Sequence, residues 1–421
     1  MINKVSKIYS ESILTKPKFT LAILTSILAI MLFFVPDFKL DASADSLILE
    51  NDKDLKTYRT TLQRYKTKDF LVITFTPKKG EVFDDINLSL LTKLKKELNE
   101  IDGIDSINSL VDVPLVKSSD LPITEMINDV PNIFSESVDR KKAREEILNS
   151  PIYKNLIISE DAKTTAIQIN IKNNEDLNNL IKKKSTLSGK EYDGIITDDE
   201  KIILKKVKRD YEKIKSENNE FLHNMLKEIR QIKHSFEKNN PVELRLGGIP
   251  MITDDMISYV RNDLISFGFG VLVFILITLT IIFKKIRWII LPLISCAFAV
   301  SIMIGLLGLL NWKVTVISSN FISLMLILTL SMNIHLIVRY RQLCSDTTKK
   351  QIDIVKEMAY KMVWPCLYTA LTTIVAFASL IFSDIKPVID FGYMMILGLI
   401  VTFLTSFLLL PSILCLLEKE K

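Results

Sequence analysis

The sequence predicts an α-helical membrane protein with six transmembrane helices, one near the N-terminus and five in the C-terminal part, and an α+β extracytoplasmic domain. Hydrophobic residues make up 48% of the chain, but they are unevenly distributed. A single apolar run lies near the start, a mostly polar stretch follows, and a nearly continuous apolar block fills the C-terminal part. Apolar runs of this length can cross a bilayer core of about 30 Å as helices. Lysines and arginines are concentrated in alternate connecting segments, which places those segments on the cytoplasmic side.

The first apolar run, residues 19–35, follows a lysine-rich segment that holds the N-terminus inside the cell. The small residues 42–44 are similar to a signal-peptidase site, which leaves a secretory signal as the alternative. Charged residues at positions 37, 39 and 41 separate that site from the run, and this separation favours an uncleaved anchor. We therefore predict a cytoplasmic tail at residues 1–18 and a transmembrane helix at residues 19–38.

The polar stretch, residues 39–262, predicts an extracytoplasmic domain of mixed α and β structure. A β-rich apolar run, a segment with helical spacing of leucines and a second strand-like run follow one another, which is the order of a βαβ unit. Residues 156–159 and 164–171 predict a hairpin, and residues 242–246 predict a later strand. The elements of the βαβ unit are residues 70–76, 84–101 and 104–111.

A long charged segment, residues 199–238, carries apolar residues at spacings of mostly three and four. This spacing predicts one helix with a single apolar stripe. Two interpretations stay open: the helix packs on its own sheet, or it projects and contacts a partner. His223 and His234 lie too far apart on this helix to form a ligand pair at i and i+4, so we interpret both as solvated surface residues.

The C-terminal block, residues 263–421, predicts a bundle of five transmembrane helices joined by short polar connections. Residues 345–362, with lysines on one side and apolar residues on the other, predict an amphipathic helix on the inner leaflet. Six crossings in total place both termini in the cytoplasm and the polar domain outside the cell inner (plasma) membrane. The five predicted spans are residues 264–283, 288–310, 314–338, 363–382 and 391–417.

The span at residues 314–338 contains no acidic residue, lysine or arginine, yet it is rich in polar side chains. In hydrocarbon these groups need partners on neighbouring helices or in a wet cavity, so we predict that this span is the central helix of the bundle. Ser318, Ser319 and Asn320 are candidates for packing between helices or for a substrate path. His335, near the inner end, is a candidate for either a structural or a coupling role.

Composition and motifs argue against several classes of function. The net charge of +5 is modest for 421 residues, and no basic stripe with interleaved aromatics is present, so no nucleic-acid partner is expected. All four cysteines fall in the C-terminal block, and neither a CxxC pair nor a Cys/His cluster suggests a metal. The sequence has no Ser/His/Asp arrangement and no Gly-rich phosphate-binding loop. It therefore predicts neither an enzyme nor a cofactor.

Four segments resemble the resistance-nodulation-cell division (RND) superfamily of transporters, in its MMPL-like exporter branch and its sterol-sensing-domain relatives. These segments are DASADSLILENDKDLKTYR from Asp41, LGGIPMITDDM from Leu246, the fourth span, and ALTTIVAFASLIFSDIKPVIDFG from Ala370. One span, a large extracytoplasmic domain and five clustered spans also match the half-unit plan of the superfamily. The resemblance implies ferredoxin-like βαβ porter subdomains and the movement of hydrophobic or amphiphilic molecules, such as lipids, from the outer leaflet through the periplasmic domain.

The chain departs from the superfamily in two respects. Members usually carry two six-span halves, whereas this sequence shows one copy of the pattern, as expected of a half that pairs with a second half or of part of a longer protein. Proton-driven members place an aspartate in the middle of the fourth span, where this chain reads Leu330, Ser331, Met332 and Asn333. None of the five predicted C-terminal spans contains a carboxylate, and histidine titrates near neutral pH. Asn333 and His335 are therefore the candidates for coupling.

Three functions stay open at this point. The first is a subunit that exports or moves hydrophobic or amphiphilic molecules, which the segments from Leu246 and Ala370 favour. The second is an accessory role in protein translocation, because protein-export members of the superfamily also occur as six-span halves. The third is a non-transporting lipid-sensing subunit, which the missing carboxylates favour.

Overall fold

The computed structural model describes residues 15–41, 54, 57, 61, 64, 69–120, 130–345 and 348–419. Contacts within the chain divide it into two compact units. An apolar unit comprises Met1–Glu50 and Met256–Lys421, and a polar unit comprises Asn51–Asp255. Most of the predicted cytoplasmic tail and nearly all of the segment that starts at Asp41 lie outside the described residues.

The first described helix is α1 (Pro17–Phe33), which overlaps the predicted anchor. Pro17 suits the first turn of a helix because its ring fixes φ and the missing N–H would have no intrahelical partner there. With 17 residues, α1 is about 25 Å long. A short 3₁₀ turn, Val35–Asp37, follows it.

A four-stranded antiparallel sheet forms the centre of the polar unit. Its alternating sequence creates one buried face, since Leu71, Ile73 and Phe75 are fully buried and the residues between them are partly exposed. The predicted strand at residues 156–159 is wrong, because these residues form a turn with only an isolated bridge at Ile158. The other four predicted strands are confirmed, the second in a shorter form. They are β1 (Phe70–Pro77), β2 (Ile104–Asn108), β3 (Thr165–Ile171) and β4 (Val242–Gly247).

The strands lie in the spatial order β2-β3-β1-β4. The helix α2 (Asp85–Asn99) connects β1 to β2, but β3 lies between these two strands and pairs antiparallel with both. The predicted βαβ unit is therefore split. The buried face of β3 is mostly apolar, with Ile167 and Ile169 completely buried, so this strand suits the central position between β1 and β2.

The described part of the polar unit also contains three longer helices: α3 (Arg140–Asn149), α4 (Glu175–Tyr192) and α5 (Asp198–Asn239). The predicted long helix is confirmed as α5. In its C-terminal half Leu226 and Ile229 are fully buried in the core that covers the sheet. Its N-terminal half packs along α4, where Lys184 lies 4.5 Å from the ring of Tyr211. The helix therefore packs on its own sheet over only part of its length.

Glu237 fixes the end of α5 next to β4. One carboxylate oxygen accepts a hydrogen bond from the backbone N–H of Leu244 at 2.7 Å, and the other lies 3.0 Å from Nζ of Lys233. Burial by itself would raise the pKa of Glu237, but these partners outweigh it and lower the pKa below its usual value. The charged carboxylate thus holds the helix against the strand that leads into the next helix.

Five helices of the described chain are long and apolar enough to cross a membrane. They show that the chain is a multi-pass membrane protein, because a bilayer core of about 30 Å requires roughly 20 apolar helical residues. The helix α1 is apolar as well but shorter. The five are α6 (Ile249–Phe283), α7 (Ile286–Leu309), α8 (Phe321–Cys344), α9 (Gln351–Ala378) and α10 (Lys386–Leu416).

The predicted amphipathic helix at residues 345–362 is not a separate element. From Gln351 onward its residues form the first turns of α9, which continues to Ala378. Ile354, Val355 and Met358 are fully buried in the core of the bundle. The prediction was wrong because the apolar side of this segment packs on other helices and not on lipid.

Two other helices begin earlier than predicted. The helix α6 starts at Ile249, before the predicted span, and its second turn carries Asp254 and Asp255. The helix α10 starts at Lys386, before the predicted span at residues 391–417, and includes Asp390. A carboxylate is therefore present in this helix, although in its second turn and not at its centre.

The helix α1 approaches α7 closely at two glycines. A Cβ atom at Gly305 would lie 2.2 Å from the carbonyl oxygen of Met31, and a Cβ atom at Gly308 would lie 2.0 Å from that of Phe34. No side chain fits in such a space, so glycine alone permits this contact. A spacing of three residues places both glycines on one face of α7 and joins the N-terminal helix to the bundle.

Candidate functional site

The polar residues at the start of the central helix form a turn. Ser318, Ser319 and Asn320 make up a short 3₁₀ helix that leads into α8. Ser318 is fully buried, and its Oγ accepts a hydrogen bond from the backbone N–H of Thr315 at 2.7 Å, while Ser319 donates to the carbonyl of Val316 at 2.8 Å. Asn320 is exposed. These hydrogen bonds close the turn locally and position the first residues of α8.

Asn333 lies in the middle of α8 and is fully buried. Neither its Oδ1 nor its Nδ2 atom has a hydrogen-bond partner among the residues that the structure describes. A buried polar group without a partner costs roughly 1–3 kcal/mol. Such a cost at the centre of a transmembrane helix points to a functional group and not to packing alone.

Two contacts define how α8 lies against α10. A Cβ atom at Gly398 would lie 3.2 Å from Sδ of Met325, and one turn further along both helices the hydroxyls of Thr329 and Thr402 are 3.2 Å apart. Both residue numbers rise by four between these contacts, so the helices run in the same direction. Continued by one more turn, the same register brings Asn333 to the level of Ser406.

Ser406 is fully buried, and its Oγ also has no partner within the described chain. The same holds for Ser295 of α7, whose neighbour Cys296 lies 3.7 Å from the carbonyl oxygen of Leu326 in α8. Three helices therefore contribute buried polar groups to the middle of the bundle. We call this set the core polar cluster: Ser295, Thr329, Asn333, Thr402 and Ser406.

The core polar cluster consists of one amide and four hydroxyls. These groups donate and accept hydrogen bonds, but they do not take up or release protons near neutral pH. The cluster can therefore hold water or a polar group of a ligand, whereas a proton relay would need an additional titrating group.

His335 does not belong to this cluster. A helix turns by about 100° per residue, so His335 lies on the opposite side of α8 from Asn333, and the structure leaves it exposed together with Ser331. The two coupling candidates from the sequence thus face different surroundings. Only Asn333 is brought together with polar groups of other helices.

The segment from Leu246 forms a second polar site, at the start of α6. Asp254 places one carboxylate oxygen 2.6 Å from Nδ1 of His223 and the other 3.2 Å from Nη1 of Arg230. Nη2 of Arg230 lies 2.6 Å from Oδ1 of Asp255. This ion cluster joins α5 to the first turns of α6. His223, predicted as a solvated residue, is exposed but paired, whereas His234 is exposed as predicted.

Of the two glycines in the segment from Leu246, Gly248 is the one that the backbone conformation requires. Its φ is +132°, and a Cβ atom there would lie 2.9 Å from the carbonyl oxygen of Phe70. Any other residue at this position would strain the backbone, and its side chain would clash with β1. The glycine lets the chain turn from β4 into α6 without disturbing the sheet.

The segment from Asp41 is described only at its beginning. Asp41 lies 3.3 Å from Nζ of Lys313, and its backbone N–H donates to the carbonyl of Val314 at 2.9 Å. The backbone N–H of Val314 donates in turn to Lys39 at 2.9 Å. The chain after α1 is thereby fastened to the connection between α7 and α8.

A comparison with protein-family models shows which family the chain belongs to. The model of the MMPL family matches residues 190–420, more than half of the 421 residues. The chain belongs to the MMPL family. The matched region contains α5 and the five long helices, and it therefore includes both the core polar cluster and the ion cluster of this MMPL protein. None of the curated proteins searched matches the chain.

Three members of the core polar cluster in this MMPL protein were missed in the sequence: Ser295, Thr402 and Ser406. Thr402 and Ser406 lie four residues apart in the last apolar run, so they share one face of a helix. The reasoning that selected the fourth span, namely that polar groups in hydrocarbon need partners, would have selected them too. The role of Arg230 had no such signal, because a charge on a long polar helix is ordinary.

Proposed function

We propose that this MMPL protein is one half of an RND-type transporter that moves hydrophobic or amphiphilic molecules, lipids above all, from the membrane through a periplasmic polar unit. The MMPL match over residues 190–420 carries this proposal, because that region contains the five long apolar helices. The core polar cluster supports it, since it places unsatisfied polar groups inside a bundle that otherwise packs apolar residues. Transport is favoured over catalysis, because the cluster contains no general base that would activate one of its hydroxyls as a nucleophile.

The sheet of the polar unit is, in this proposal, a ferredoxin-like porter subdomain. Its spatial order supports this assignment: β1 and β2 run in the same direction on either side of β3, and β4 occupies the other edge next to β1. This is the arrangement of a split βαβ fold.

The topology that we propose has six spans in the inner membrane, with α1 as the sixth, both termini cytoplasmic and the polar unit outside. The packing of α1 on α7 supports a shared membrane location. After replacement of the four native cysteines by serine, a thiol in Lys182→Cys should react with an impermeant maleimide on intact cells. A thiol in Lys350→Cys should react only after permeabilisation. Labelling of both positions from the same side would contradict the topology.

The partner that we propose is a second six-span half, identical or homologous, which covers the exposed polar side of α8. Ser331 and His335 lie four residues apart on that side and are exposed. If this face met lipid, both groups would need hydrogen-bond partners that hydrocarbon does not provide. A second copy of the same face would provide them.

The proposed function is tested by reconstituting the full chain into vesicles that carry a fluorescent, headgroup-labelled phospholipid. We expect protein-dependent transfer of the lipid to acceptor vesicles under an imposed ion gradient, and transfer should vanish when vesicles hold no more than one chain. Transfer by single chains would contradict the pairing. Absence of transfer at any gradient and loading would contradict transport and favour the lipid-sensing alternative, which the neutral core polar cluster also fits.

A further inference from the structure

Arg287, in the first turn of α7, is held in place but incompletely paired. Its Nη1 donates a hydrogen bond to the backbone carbonyl of Glu418 at 2.7 Å, and its guanidinium lies 5.1 Å from the centre of the Trp288 ring. Its Nε and Nη2 atoms are buried and have no acceptor among the described residues. A buried charged donor without an acceptor is unfavourable, so these two nitrogens require an oxygen ligand.

The surroundings of Arg287 keep the guanidinium in one orientation. Trp288 is fully buried and its ring lies 5.4 Å from that of Tyr340, which is also fully buried. The Tyr340 hydroxyl donates to Oε1 of Gln351 at 2.8 Å, and Nε2 of Gln351 donates to the carbonyl of Leu414 at 2.6 Å. Residues from four helices thus hold the Arg287 guanidinium in place. A donor that is already fixed in its binding orientation loses little entropy when it binds a ligand.

The charged side chains at this end of the bundle favour binding of an anion. The Arg287 guanidinium itself carries a positive charge, and Lys284 is exposed in the turn before α7. The acidic side chain of Glu357 already contacts two lysines, at 2.6 and 2.7 Å. An additional anion is therefore more favourable here than a neutral polar ligand.

We propose that Arg287 forms a binding site for a phosphate ester at this end of the bundle. Adjacent Nε–H and Nη2–H donors form a planar fork that matches two oxygens of one phosphate group. Helix ends in a bilayer lie at the level of the phosphate headgroups, and clusters of lysine and arginine there attract anionic lipids. A lipid headgroup and a free phosphate share this chemistry, and the test separates them.

The experiment measures the thermal unfolding and native mass spectra of the full chain in a phosphate-free neutral detergent. Phosphatidylglycerol should bind and raise the unfolding temperature, whereas diacylglycerol with the same acyl chains should not. If the ligand is free phosphate, inorganic phosphate at millimolar concentration should have the same effect as the lipid; if a headgroup is required, it should not. Either result fits a phosphate site, but equal effects of phosphatidylglycerol and diacylglycerol would overturn it.

Arg287→Gln should weaken phosphatidylglycerol binding about ten- to a hundredfold, because two charge-assisted hydrogen bonds are lost. Arg287→Lys keeps the charge and the contact with Trp288 but not the fork, and should bind with intermediate affinity. Lys350→Gln, which removes the same charge from an exposed position just before α9, is the matched control and should bind nearly as the wild type does. Equal loss in Lys350→Gln and Arg287→Gln would overturn the site. Unchanged binding in Arg287→Gln would overturn it as well.

Discussion

Replacing Asn333 by leucine is expected to slow transport strongly while leaving the folded protein at least as stable as the wild type. The side chain is fully buried, and neither of its polar atoms has a partner in the described part of the chain. Leucine has a similar size and carries no group that must be desolvated, so the free energy of unfolding should rise, by up to about 1–3 kcal/mol. If the amide binds water or a ligand during transport, its loss should reduce the rate by roughly tenfold or more, equivalent to about 1.4 kcal/mol.

The vesicle transfer assay measures this rate, and unfolding in detergent measures the stability. His335→Gln is the matched control, because it changes a polar residue of the same helix that lies on its exposed side. We expect this variant to keep most of the transport activity, since an amide can replace one imidazole hydrogen bond without titrating. Normal transport by Asn333→Leu would show that the core polar cluster serves helix packing and not transport. Loss of transport in His335→Gln alone would assign the coupling to the histidine.

Periodicity and composition were sufficient to predict most elements of this fold. The alternation in residues 70–76 predicted β1, and the apolar stripe at spacings of three and four predicted α5. Periodicity could not predict which strands are neighbours, so the insertion of β3 between β1 and β2 had no signal. It also could not distinguish an apolar face that meets lipid from one that meets other helices, which is why the first turns of α9 were misassigned.

The candidate site was predicted in part, for a similar reason. The absence of charge in the fourth span and its richness in polar groups selected Asn333 and His335 together. Two residues that are two positions apart on a helix face nearly opposite directions, but the sequence does not show which direction faces the bundle. Contacts between Thr329 and Thr402, far apart in sequence, provide that information. Buried but unpartnered atoms, such as those of Asn333 and Arg287, are likewise a property of the packed structure alone.

Replacing Gly308 by valine is expected to detach α1 from the bundle. The Cβ atom of any side chain at this position would lie 2.0 Å from the carbonyl oxygen of Phe34, which belongs to the backbone and cannot move without shifting the end of α1. Overpacking of this kind costs about 1–3 kcal/mol where neighbours can adjust, and more where they cannot. We therefore expect a clear fall in the unfolding temperature in detergent and greater protease cleavage in the connection that follows α1.

Gly268→Val provides the matched control for this change. Gly268 is also a glycine in a long apolar helix, α6, and a Cβ atom there would meet no atom within 4 Å. Both variants make the same change in helix propensity and in side-chain volume, so any difference between them reports the contact of α1 with α7. If Gly308→Val and Gly268→Val unfold at the same temperature and are cleaved at the same rate, the close contact does not hold α1 in place, and the proposal of α1 as a sixth span loses its structural support.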